Sequence, residues 1–134
     1  AAAYEMQLLE KDQRQRAVQE ARELLGRLGR HPLRQEVDQA DSRMFEVPYS
    51  ISRPAGSGAD SGRIDLLYRR GDTWCVVDYK TDELDDAEKI SEAVVEYRPQ
   101  VERYRAAVRG LLKVEPVVQL CFLDAEGTVR VEEV

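Results

Sequence analysis

Asp65, Asp78 and Lys80 bring two carboxylates and an ammonium into one short stretch of chain, a set that could hold a divalent cation through hard oxygen donors with a positive group alongside. Only a hairpin would join them. The runs Gly62-Arg63-Ile64-Asp65-Leu66-Leu67 and Val76-Val77-Asp78-Tyr79-Lys80-Thr81 are rich in apolar and aromatic residues, and Gly71-Asp72 lies midway with the composition of a two-residue turn. If those two residues form the loop, Arg70 faces Thr73. Counting outward then sets Asp65 opposite Asp78, with Cβ atoms roughly 4.5–5.5 Å apart on one face. Asp78 and Lys80, two apart in one strand, share that face.

Facing carboxylates repel across a strand pair, so the pattern calls for a compensating charge. A bound cation would convert the repulsion into coordination. An alternating charge pattern on a solvated sheet face is the other reading, because Arg63 falls opposite Lys80 in the same register. That reading leaves unexplained why Ile64, Leu66, Val76 and Val77 flank the charges so closely. On these residues alone both readings stand.

The ordered motifs resemble the core of the PD-(D/E)xK nucleases. GRIDLLYR followed by WCVVDYKTD is similar to the RecB-type nuclease domain of AddA-like helicase-nucleases. Glu46, in Phe45-Glu46-Val47-Pro48-Tyr49, matches the acidic residue of the preceding strand in that group. Gln100 and Tyr104 match its downstream Gln-x-x-x-Tyr motif, and the set together covers about residues 43 to 110.

The resemblance implies a restriction-endonuclease-like core and a single RecB-type domain over residues 1–134, excised from a larger helicase-nuclease. It implies Mg²⁺ or Mn²⁺ as cofactor and hydrolysis of DNA phosphodiester bonds, with exonuclease activity in end processing and recombinational repair. The implied partners are DNA, a helicase domain in the same chain and a partner nuclease subunit, in the cytoplasm. Asp65, Asp78 and the backbone carbonyl of Tyr79 would hold the metal, whose bound water, with its lowered pKa, would be the nucleophile. Lys80 would orient that water, offset charge on the phosphate or act as a base. Glu46 would help the metal site directly or through water. Gln100 and Tyr104, four apart, would lie on one helix face and reach the site or the nucleic-acid strand together.

One departure bears on activity. Many RecB-type domains carry a metal-shell histidine on a helix well upstream of the first acid, whereas the single histidine here is His31, directly before Pro32. Proline disfavours helical geometry at the residue before it, so His31 is expected in a loop after a helix rather than on a metal. Two rival readings remain: a catalytically impaired nuclease-like module that binds DNA or a partner subunit, and a hydrolase of a small phosphate compound, which would need a closed pocket.

At 134 residues and 43% hydrophobic composition, the chain has the size of one core. It contains no apolar run of membrane-span length and no signal-peptide succession, so an intracellular protein is expected. Cys75 and Cys121 fall in expected buried strands, at a spacing that suits neither zinc nor a disulfide framework. The net charge of −6 is unusual for a DNA-binding protein. Basic residues nevertheless gather at Lys11, Arg14, Arg22, Arg27 and Arg30, and again at Arg98, Arg103, Arg105 and Arg109. A tethered motor would in any case raise the local concentration of the strand.

Helical apolar spacing runs from about 4 to 28, with Gly29 as a stop. A strand over 43–52 and a Gly/Ser-rich loop over 53–62 precede the hairpin. An acidic loop then leads to helices over about 86–95 and 98–112, with Pro99 in the first turn of the latter. Val117 to Leu123 reads as a buried strand, and Thr128 to Val131 as an edge strand after Gly127. This order predicts an α/β fold, a central mixed β-sheet flanked by helices.

Overall fold

Gly71 adopts a φ of 57°, the left-handed conformation that a two-residue hairpin turn demands. It joins β2 (Ala59–Arg70) to β3 (Thr73–Lys80) with Arg70 opposite Thr73, as the composition of the turn requires. The computed structural model describes residues 2–134. β1 (Ser42–Ser52) pairs antiparallel with β2; α3 (Ala87–Leu112) carries the chain over to β4 (Val117–Ala125), parallel to β3; β5 (Thr128–Glu133) returns antiparallel. The result is a five-stranded mixed sheet in the order β1-β2-β3-β4-β5. A parallel neighbour needs a long crossover, and α3 supplies it.

Helices cover both faces. On one side Ile64, Leu67, Val76, Val118, Leu120 and Phe122 pack against Ile90, Ala93, Val101, Tyr104, Ala107 and Val108, which recur at helical period along α3. On the other, Leu66, Tyr68, Val77, Cys121 and Leu123 lie beneath Leu33 and Val37 of α2 (Pro32–Asp38) and beneath Leu24 and Leu28 near the end of α1 (Ala2–Arg30). Arg27 fastens that end by donating to Asp124 Oδ1 at 3.0 Å and to the Leu123 carbonyl at 3.3 Å. Earlier turns of α1 project from the body, leaving Tyr4, Met6, Leu8 and Leu9 exposed.

Three elements differ from the sequence expectation. α2 lies where a loop was expected; its seven residues are too few for a periodic signal, and the cue is its capped start, His31 followed by Pro32 at the first helical position. The two expected helices around Pro99 are one. Pro99 has no N–H for the Val95 carbonyl, but both residues face solvent, where water can take that bond, so the helix continues. The Gly/Ser-rich loop is shorter than expected because β2 already begins at Ala59.

A phase change in β1 and β2 shapes the end of the sheet where the acids lie. Phe45 lines a recess with Leu33, Val37 and Tyr79 on the α2 side, yet Val47 and Tyr49 pack on the α3 side. Likewise Leu66 belongs to the α2 side and Ile64 to the α3 side. Strict alternation would put each pair on one face. The break falls at Glu46, whose φ of 51° is left-handed, and at Asp65 across from it, while Phe45–Leu66 and Val47–Ile64 keep one register. Both strands therefore switch faces together, at the level of the acidic residue. The β2–β3 ladder also ends there, at Leu66–Val77, so neither the expected Asp65–Asp78 pairing nor the expected Arg63–Lys80 pairing is made.

Candidate active site

Val76 and Asp78 share a face of β3, so the apolar pattern that buries one draws the other under α3. Asp78 is only 4% exposed and is the single buried Asp, Glu, Lys or Arg among the described residues. Burial raises its carboxyl to about 6, the Asp65 carboxylate alongside pushes in the same direction, and Lys80 pulls it down. Its buried Oδ2 is paired with Lys80 Nζ at 2.9 Å. One ammonium beside two carboxylates leaves negative charge in excess, and holding that charge under α3 is costly.

Asp65 arrives from the face switch in β2. Where the ladder ends, its Oδ2 accepts the Tyr79 N–H at 2.9 Å, taking the place of a strand partner. This bond ties the Asp65 carboxylate to the segment that carries Asp78 and Lys80. Tyr79 itself points to the opposite face, where burial raises its phenol to about 12.

The facing helix supplies the remaining groups. Gln100 and Tyr104, one turn apart on α3, both reach the end of β3. Lys80 donates to Gln100 Oε1 at 2.7 Å. Tyr104 is 2% exposed and stands edge-on to Tyr49, with ring centroids 5.9 Å apart at 88°. Burial raises its phenol well above the usual range, and the charges of Asp78 and Asp65 raise it further, so it remains protonated. Gly62 permits this stack: a Cβ there would sit 2.5 Å from Tyr49 Oη.

The structure thus gathers Asp65, Asp78, Lys80, Gln100 and Tyr104 at one end of the sheet. Glu46 stays outside the group; its left-handed backbone turns the side chain to solvent, 3.8 Å from Arg63. His31 is occupied elsewhere, its Nδ1 accepting the Leu33 N–H at 3.1 Å as the cap of α2. Sequence reading missed Tyr97. Its ring lies under the Lys80 ammonium, 4.0 Å from centroid to Nζ, and its hydroxyl donates to Asp82 at 2.8–2.9 Å. The available signal was its place three residues before Gln100, on the same helix face.

The residues present suit a hard divalent cation. Among the described residues no three His, Cys, Asp or Glu side chains form a metal-holding group, so the side-chain donors are the carboxylate pair. Mg²⁺ is commonly held by one or two carboxylates together with waters and substrate phosphates, which fits that pair. Asp65 and the buried Asp78 together carry more negative charge than Lys80 offsets, an excess such a cation would neutralise. Cys75 and Cys121 lie on the other face, so no soft ligand competes.

Residues 1–132 match the family model of the PD-(D/E)XK nuclease superfamily. The chain belongs to that superfamily. As a PD-(D/E)XK nuclease-superfamily chain it is similar to an ATP-dependent helicase/nuclease subunit of Heliobacterium modesticaldum, 31% identical over 91% of this chain and 10% of the relative. The corresponding proteins of Staphylococcus epidermidis and Staphylococcus carnosus are 27% and 29% identical over 76% and 73% of this chain. The PD-(D/E)XK chain spans about a tenth of the length of these curated relatives. Its mixed sheet with flanking helices is consistent with the α/β fold of the superfamily. No helix among the described residues is long and apolar enough to cross a membrane.

Proposed function

We propose that this chain is the nuclease domain of a longer DNA-processing protein, hydrolysing phosphodiester bonds at DNA ends with Mg²⁺ or Mn²⁺. The observation that carries the reading is Asp78: a buried carboxyl with a second carboxylate beside it and a lysine ammonium 2.9 Å away. A bound cation would supply charge neutralisation and a more acidic water.

This chain's residues would do the rest. Asp65 and Asp78 hold the cation, with the Tyr79 carbonyl as a further oxygen donor. Lys80, held by Gln100, presents positive charge where the phosphate gains negative charge. Tyr104 keeps its proton and walls the acids off from the apolar core, limiting water on that side. Glu46, exposed at the margin, acts through water rather than as a direct ligand. Strand contact comes from exposed basic residues, Lys11, Arg14 and Arg22 on α1 and Arg98 and Arg103 on α3. Arg105 and Arg109 contribute less, because both are tied to Glu115.

A helicase domain in the same longer chain and a cytoplasmic setting belong to the same proposal; similarity to the helicase/nuclease proteins supports them. The test is cleavage of end-labelled single-stranded and duplex DNA with Mg²⁺ and Mn²⁺ titrated. Metal-dependent products that disappear in Asp78→Ala are expected. Cleavage by Asp78→Ala equal to that of the parent chain would remove the assignment, and DNA binding without cleavage at any metal concentration would point to an inactive module.

A further inference from the structure

We propose that Tyr97 is a positioning residue for Lys80, holding the ammonium between its ring, Gln100 and Asp78 without using up a hydrogen bond. The inference rests on the reading of Lys80 as the side chain that meets the phosphate. Lys80 lies in β3, at the C-terminal end of its strand, where a long flexible side chain would otherwise sweep a wide volume. Its side chain is only 13% exposed, and three groups from two elements define where Nζ sits: Gln100 Oε1 at 2.7 Å, Asp78 Oδ2 at 2.9 Å and the Tyr97 ring centroid at 4.0 Å. Two of these are oxygen acceptors. The third is a π face.

That difference has a chemical consequence. An ammonium has three N–H donors. Attraction to a ring face depends weakly on direction, so it fixes the position of the charge while a donor stays free to turn toward an incoming phosphate oxygen. A third carboxylate in the same place would compete with the phosphate for that donor. Tyr97 is itself fixed, since its hydroxyl donates to both oxygens of Asp82, two residues beyond Lys80. Burial and that carboxylate raise the phenol to about 12, so the hydroxyl keeps its proton at neutral pH. Donation to an anion also makes the ring more electron-rich, which strengthens its hold on a cation. Tyr97 and Gln100, three apart on α3, therefore clamp the ammonium from one helix face.

Two readouts test the proposal. In the metal-free chain, with lysines labelled with ¹³C, the Lys80 ε-CH₂ protons should be moved upfield by the ring current of Tyr97. The shift should persist in Tyr97→Phe and vanish in Tyr97→Leu. In the cleavage assay Tyr97→Leu should lower kcat about tenfold with KM unchanged, from the loss of a partly desolvated cation–π contact. Tyr97→Phe, which keeps the ring, should stay within about threefold of the parent. Circular dichroism and thermal unfolding establish that both variants are folded. Absence of the upfield shift in the parent chain overturns the contact, and parental kcat in Tyr97→Leu overturns the positioning role. The shift requires no turnover, so it is read even in a chain that fails to cleave. If Lys80→Ala cleaves as well as the parent, the proposed function and the positioning role fall together.

Discussion

The two ends of the β2–β3 hairpin both carry acids beside tyrosines, but they are finished in opposite ways. At the turn, Glu36 accepts from the Tyr68 hydroxyl and from Arg70, and Asp41 Oδ2 accepts the Gly71 N–H at 2.7 Å. Glu36 and Asp41 each have a donor that matches them. At the open end the ladder stops at Leu66–Val77, the backbone switches faces at Glu46 and Asp65, and the buried Asp78 lies beside a second carboxylate with the Lys80 ammonium 2.9 Å from its Oδ2. The turn end holds the fold together, whereas the open end carries electrostatic cost that a divalent cation would relieve. Buried carboxylates whose surroundings push them away from their ordinary range cluster at functional sites.

The largest expected effect falls on the open end. Asp78→Ala should lower metal-dependent cleavage by about a thousandfold or more, because the cation supplies several kcal/mol of transition-state stabilisation. Asp78→Asn should be equally inactive and yet more stable than the parent without metal. The sign follows from the raised carboxyl: its native value of about 6 exceeds the ordinary 3.8, so ionisation disfavours the fold. That cost is absent below about pH 4, grows as pH rises to about 6 and is complete above it, reaching up to about 3 kcal/mol. Thermal unfolding of the metal-free chain between pH 4 and 7 should show this loss in the parent and not in Asp78→Asn. Mg²⁺ or Mn²⁺ should raise the melting temperature of the parent alone.

Gly62→Ala tests the support behind the acids. The added Cβ collides with the Tyr49 ring, which is braced against Tyr104, so a loss of about 1–3 kcal/mol in denaturant unfolding is expected, together with weaker cleavage. Tyr68→Phe perturbs the turn end instead. It removes one donor from Glu36 and should cost about 1–2 kcal/mol in stability while leaving cleavage unchanged. Equal loss of cleavage in that variant would erase the distinction between the two ends. The smallest effect belongs to Glu46→Gly, which relieves a left-handed backbone and should stabilise the chain by about 1 kcal/mol. The exposed contact with Arg63 that it gives up contributes little.

Much of this arrangement was legible in the residues alone. Gly71-Asp72 specified the loop, and a two-residue loop sets the register as far as Leu66–Val77; Asp65 meets Asp78 and the Tyr79 N–H beyond that ladder, through the face switch in β2. The four-residue interval placed Gln100 and Tyr104 together on one helix face. α2 was hidden because seven residues carry too little periodicity, and Pro99 misled because a proline on a solvated helix face need not end the helix. Glu46 could not be placed, since its residue type gives no hint of a positive φ in mid-strand.

Local information therefore defined what repeats at short range: strand alternation away from the break at Glu46 and Asp65, helix period, and the turn with the register next to it. These depend on backbone geometry between near neighbours, which residue types report directly. The meeting of Lys80 with Tyr97 and Gln100 and the parallel placement of β4 beside β3 arise from packing α3 across the sheet. That packing depends on contacts between segments far apart in the chain, for which no single stretch of residues encodes the outcome.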